Sequence, residues 1–214
     1  MNTISSPLVN QLNIMFALQD ELNQRVSKTW IADKYEWYRA MWTESAELME
    51  HYGWKWWKKQ NPDSEQVKLE LVDIWHFGLS DMLQRAAITG DTVSTLVDKT
   101  KAGLSLPQQY TDFREALEVF TRNVLTTKKF DLFSFADMLA ITGISIDELY
   151  VSYIGKNVLN FFRQDHGYKD GSYIKVWDGK EDNHHLAEIV ANTDPNDPNI
   201  KDTIYEELQN RYPK

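Results

Sequence analysis

The segment Lys68-Leu69-Glu70-Leu71-Val72-Asp73-Ile74-Trp75-His76-Phe77 sets two carboxylates in a run that is otherwise almost wholly apolar. On a helix, Glu70 and Asp73 are three apart and share a face. With Leu, Val, Ile, Trp and Phe around them, that face points into the protein. A buried carboxylate without a partner costs several kcal/mol or gives up its charge. No Lys or Arg lies three or four residues from either acid. A second pair, Glu44 and Glu47, repeats the spacing in Met41-Trp42-Thr43-Glu44-Ser45-Ala46-Glu47-Leu48-Met49, again without Lys or Arg at helical spacing. Gly53 and Asn61-Pro62-Asp63 break the chain between the two. Helix, short connection and helix form an antiparallel hairpin, which can bring the pairs face to face. Four carboxylates with no soft ligand suit a hard divalent cation, Mg2+ or Mn2+. Glu-x-x-Glu also occurs on solvated helix faces, so the pairs leave a metal site and a surface face both open. The apolar surroundings of Glu70 and Asp73 favour the metal.

Length and charge narrow the class. A chain of 214 residues suits one domain, or one domain with an appendage, and is long enough for a substantial core. A net charge of -9 argues against sequence-independent binding to nucleic acid or to an anionic membrane. An acidic protein that handles a polyanion must use metal and a local cluster of cations. The chain lacks cysteine, which fits a reducing, cytoplasmic setting. It has no basic leader followed by an apolar run, and no stretch of about 18 apolar residues that could span a membrane.

The pattern is helical nearly throughout, which predicts an all-α fold. Ser6-Pro7 reads as a cap and first turn, followed by Leu8, Leu12, Met15, Leu18, Leu22 and Val26 at helical spacing. Further helices are expected over about 33–52, 63–90, 108–126, 131–141, 145–164, 184–191 and 200–211. Ser145-Ile146-Asp147-Glu148 reads as a capping box. Residues 100–107 read as a linker, 165–183 as an ordered loop without strands, and 192–199, with two Asp-Pro steps, as a second linker. This gives a body over 1–191 and a linker with a helical arm over 192–214.

A second constellation lies toward the carboxy terminus. Lys156, Asn160 and Arg163 share a helix face, and the following loop adds His166, Lys169, Tyr173, Lys175 and Asn183. Such a cationic cluster suits a phosphate chain, although alone it more readily describes a salt-bridged surface. The chain has no Walker-type glycine loop, so any phosphates are held by metal and side chains. On the first helix, Gln19 and Asn23 are four apart and carry the paired donors and acceptors that reading a base edge requires, although taken alone they read more readily as exposed polar residues. Trp54, Trp56 and Trp57, interleaved with Lys55, Lys58 and Lys59, could stack on a base and contact phosphate, or pack in the core. His76 reads as a core histidine, a ligand or a base-reading group.

Glu44-x-x-Glu47 followed by Glu70-x-x-Asp73 resembles the signature of the all-α NTP pyrophosphatases. Ala46-Glu47-Leu48, Trp54-Lys55, Trp57-Lys58, Val72-Asp73-Ile74-Trp75-His76-Phe77, Gly155 to Arg163, His166-Gly167-Tyr168, the run ending in Glu181-Asp182-Asn183, and Leu18-Gln19 through Leu22-Asn23 resemble the dimeric dUTPase family more specifically. That resemblance covers most of residues 8–185 and is weak over 90–135. It implies an α-helical homodimer that hydrolyses dUTP, and dUDP as well, to dUMP. It implies two or more Mg2+ ions on Glu44, Glu47, Glu70 and Asp73, with Mn2+ as a substitute and Glu44 as the base. It also implies uracil recognition by Gln19, Asn23, Trp57 and His76. Phosphate or sugar contacts would come from Lys58, Lys156, Asn160, Arg163, Lys169, Tyr173, Lys175 and Asn183. The rival readings are a pyrophosphatase of this fold acting on another nucleotide such as dCTP, a di-iron carboxylate bundle suggested by Asp73-x-x-His76, and a non-catalytic helical module.

Overall fold

A computed structural model of the protein describes residues 7–194, 197 and 199–213. Ten α-helices supply nearly all of its regular structure: α1 (Pro7–Val26), α2 (Trp30–Asp33), α3 (Trp37–Tyr52), α4 (Ser64–Thr89), α5 (Val93–Leu104), α6 (Phe113–Thr127), α7 (Leu132–Thr142), α8 (Ile146–Asp165), α9 (Asp182–Ala191) and α10 (Ile200–Arg211). The fold is all-α, as the periodicity predicts. None of the helices is long and apolar enough to cross a membrane. The Ser6 cap lies outside the described residues.

Local chemistry fixes the helix ends. Asp63, Thr92 and Asp112 each accept from the backbone N–H three residues on, at 3.2, 3.2 and 3.0 Å, and so start α4, α5 and α6. Gly90 and Gly143 stop α4 and α7 in the left-handed conformation. Three features depart from the sequence pattern. Residues 93–104 are helical, so the linker expected at 100–107 begins inside α5. Thr92 is the cap that starts this helix, and its buried stripe is Leu96, Val97, Thr100 and Gly103. The helix expected from 33 begins later, at Trp37: Asp33 closes the short α2, and its cap Lys34, with a left-handed φ of 52°, separates the two. The loop at 165–183 holds a small antiparallel hairpin, β1 (Val176–Trp177) with β2 (Lys180–Glu181). Asp178 and Gly179 turn it with φ of 47° and 79°, the positive pair that a tight two-residue hairpin requires. Strands of two residues are too short to show alternation.

Residue contacts divide the chain into two compact units, 1–146 and 147–214. In the first, α3 and α4 pack along each other, α1 lies against α4 and α5, and α6 packs against α3 and α7. Its centre is the ring of Trp75, stacked on Phe135 at 5.3 Å and meeting Phe130 edge-on at 5.8 Å, with its N–H directed at the Met15 sulfur 3.3 Å away. In the second unit α10 packs on α9. There Phe162, Trp177 and Tyr212 meet edge-on, and Tyr212 stacks on Tyr173 at 5.5 Å.

Candidate metal and nucleotide site

The α3–α4 hairpin converts two sequence spacings into one cluster. Glu44 and Glu47 lie on one face of α3, and Glu70 on the facing side of α4. One carboxylate oxygen of each lies within 4.8 Å of the others. Glu70 is buried, Glu44 half-buried and Glu47 exposed, so the cluster opens to solvent at one end. Asp73, half-buried one turn along α4, falls outside this trio but acts on it electrostatically. Burial, the Asp73 charge, a hydrogen bond with Glu70 and the charges of Glu70 and Glu47 push the Glu44 carboxyl up to about 8. Acids crowded this closely need either a retained proton or a cation between them. The donor set is all hard oxygen, so it fits a divalent cation.

One partner was not singled out in the sequence. His51 Nε2 lies 3.6 Å from Glu70 Oε1. His51 is seven residues after Glu44 and four after Glu47, so it shares their stripe, and that spacing was the available signal. The other side of α3 does something different. Trp42, Ala46 and Met49 line an open apolar groove of about 410 Å³ with Leu117 and Leu125 of α6.

The residues expected to read a base also converge. Gln19 and Asn23 on α1 and His76 on α4 are all buried. His76 Nδ1 lies 2.8 Å from Gln19 Oε1, and Gln19 Nε2 donates to Asn23 Oδ1 at 3.2 Å. Ser80, fully buried and one turn after His76, joins them and was missed, because a lone serine in an apolar helix carries no pattern. Trp57 lies apart from this buried network on the loop after α3. Trp54, Trp56 and Trp57 are exposed, so core packing does not account for them. They meet edge to face, Trp57 lying 5.2 Å from Trp54 and 5.3 Å from Trp56. Gln60 shapes that loop by accepting from the Trp54 and Lys55 amides at 3.1 and 2.7 Å. Lys55 pairs with Glu50, and Lys58 is exposed.

In the second unit the cationic residues surround a carboxylate. Arg163 holds Asp182 through two bonds, Nε to Oδ2 at 2.8 Å and Nη2 to Oδ1 at 2.9 Å. Tyr173 donates to Asp182 Oδ2 at 2.9 Å, and Arg163 Nη1 donates to Asn160 Oδ1 at 3.2 Å. The Arg163 and Tyr173 partners hold the Asp182 carboxyl below the ordinary carboxylate range despite burial, which opposes them as the largest single influence. Burial and the Asp182 charge drive the Tyr173 hydroxyl far up. Buried Lys156 reaches Asn183 Oδ1 at 3.2 Å. Lys169 is exposed, and Lys175 pairs with Glu181 at 2.9 Å. Asp182 is the organiser of this cluster. Its pairing with Arg163 is tertiary and has no local spacing to announce it.

The model of a protein family described as dUTPase matches residues 11–168, more than half of the chain. No curated protein matches the chain.

Proposed function

The chain belongs to the dUTPase family, and on that premise we propose that it is a magnesium-dependent dUTP diphosphatase, which adds water across dUTP to give dUMP and pyrophosphate and acts likewise on dUDP to give dUMP and phosphate. The observation that carries this reading is the cluster of Glu44, Glu47 and Glu70, with carboxylate oxygens within 4.8 Å of one another and Asp73 close by. Glu44, Glu47, Glu70 and Asp73 are assigned as the residues that hold two or more Mg2+ ions. When bound, magnesium supplies charge neutralisation of the phosphates and acidification of nearby water.

The remaining roles belong to the chain's own side chains. Glu44 is the base that takes the proton of the attacking water. Its carboxyl is held up by burial and by neighbouring negative charge, and bound cations offset that charge to bring it back toward the ionised form that a base needs. Glu47, Glu70 and Asp73 orient the ions. Gln19, Asn23 and His76 read the uracil edge, and Trp57 stacks on the ring. Lys58, Lys156, Asn160, Arg163, Lys169, Tyr173, Lys175 and Asn183 hold phosphate or sugar, and cations among them stabilise charge that develops on the leaving group. The buried Arg163–Asp182 pair keeps the Arg163 guanidinium ordered, and hydrogens engaged by neither Asp182 nor Asn160 are offered to an anion. The assembly is assigned as a homodimer, with residues 1–191 as the enzyme body and 192–214 as an appended arm.

Purified protein would be offered dUTP, dUDP, dCTP and dTTP with magnesium, and pyrophosphate and phosphate release measured. Selective release from deoxyuridine nucleotides is expected. Preference for dCTP would move the chain to another substrate of the same chemistry, and iron in the metal analysis would favour the di-iron reading.

A further inference from the structure

Resting on the base-reading role proposed above, we infer that Ser80 is a positioning residue that fixes the hydrogen-bond polarity of the pyrimidine site and so selects uracil over cytosine. Four buried side chains form one network. Ser80 Oγ lies 3.0 Å from the His76 backbone carbonyl, 2.9 Å from Gln19 Nε2 and 3.0 Å from Asn23 Nδ2. Gln19 then reaches His76 Nδ1 at 2.8 Å. Ser80 and His76 are 0 % and 4 % exposed, so water does not scramble these bonds.

The direction of these bonds follows from one group that can only accept. The His76 carbonyl has no proton, so the Ser80 hydroxyl donates to it, the back-bond that serine makes to the carbonyl four residues earlier in a helix. Asn23 Oδ1, 3.4 Å from Ser80 Oγ, is the poorer acceptor. With its proton committed, Ser80 Oγ offers only lone pairs to the two amides. Gln19 and Asn23 must therefore turn their NH2 groups toward it. The Gln19 oxygen is left facing His76 Nδ1, so that nitrogen carries a proton, and in the neutral ring this fixes the tautomer. His76 Nε2 becomes the acceptor. Amide orientation and histidine tautomer, which atom positions alone do not reveal, are here dictated by a backbone carbonyl.

The two pyrimidines differ at the atom that such a nitrogen would meet. N3 of uracil carries a hydrogen, whereas N3 of cytosine carries a lone pair. An acceptor at His76 Nε2 bonds the first and opposes the second. Reversing the amides would exchange the preference, and Ser80 is what prevents reversal. A site that leaves a polar group unpaired against the wrong substrate discriminates far more strongly than one that differs only in shape.

The test is Ser80→Ala, which removes one oxygen and little volume. Two readouts are taken. In the substrate-free protein, nitrogen NMR of His76 reports which ring nitrogen is protonated. With substrate, the ratio of kcat/KM for dUTP to that for dCTP reports selectivity. The wild type is expected to show protonated Nδ1 alone. The variant is expected to show both tautomers, with the selectivity ratio reduced by on the order of tenfold, as for one oriented hydrogen bond. A variant that keeps the Nδ1–H tautomer overturns the inference, and so does one whose tautomer changes while the ratio holds. If the wild type hydrolyses neither nucleotide, the proposed function fails instead. The tautomer measurement still decides whether Ser80 orients the network, a result that a merely structural loss of stability would not produce.

Discussion

Glu44 keeps its proton to a higher pH than any ordinary carboxyl because burial withholds water and three acids crowd it. Its ordinary value is 4.5, and the folded protein raises this to about 8. Between those limits the folded chain holds a proton that the unfolded chain has released, so the Glu44 contribution to stability falls as pH rises through the window. In EDTA the melting temperature is expected to drop between pH 5 and pH 8. Magnesium replaces the proton, so its stabilising shift should grow over the same range, as scanning fluorimetry would measure, and Glu44→Gln should flatten the metal-free slope. A magnesium shift independent of pH would contradict the metal assignment. For catalysis, Glu44→Gln or Glu70→Gln should lower kcat by at least about a hundredfold, the scale of a lost base, while circular dichroism stays helical. Near-full activity with magnesium present would remove both residues from the site.

At the scale of elements, what was legible was whatever repeats along one helix. The stripes of α1, α3 and α4 place Gln19 with Asn23 and Glu44 with Glu47, and they set Glu70 beside Asp73, because a helix turns local spacing into a shared face. What joins two elements was not legible. The Arg163–Asp182 pair spans nineteen residues and the His51–Glu70 contact also nineteen, and no spacing rule predicts either. Helix α5 escaped because its stripe of four is short and includes Thr100 and Gly103. Two substitutions test the packing that this pattern conceals. A Cβ at Gly78 would stand 2.7 Å from the Phe130 ring, which Trp75, Phe120 and Phe135 hold in place. Gly78→Ala should therefore cost about 1–3 kcal/mol in chemical denaturation, the usual scale of overpacking. In the second unit, Asp182→Ala leaves Arg163, whose side chain is 13 % exposed, without its carboxylate. A loss of about 3 kcal/mol is expected, and the double variant with Arg163→Met should recover part of it. A double-variant cost equal to the sum of the two single-variant costs would show that the pair is not coupled.

For the whole molecule, pattern again reports composition better than arrangement. The two Asp-Pro steps near 194–198 read as a linker, and contacts, which a linear pattern does not carry, group the chain as 1–146 and 147–214. The distribution of the eight tryptophans shows the same divide, since identical residue types occupy opposite environments. Trp30, Trp75 and Trp177 are sealed in cores, while Trp42, Trp54, Trp56 and Trp57 meet solvent, Trp56 at 90 % exposure. Indoles in a dry interior emit toward the blue and those in water toward the red. The chain should therefore glow as two populations, and iodide should extinguish only one of them, bending the quenching plot downward. A pyrimidine laid over Trp57 would shield part of the red population, so dUMP with magnesium should lower the plateau of that plot, and an unchanged curve would remove Trp57 from the nucleotide site. The exposed indole trio after α3 thereby makes the protein its own optical reporter of occupancy, with no dye attached.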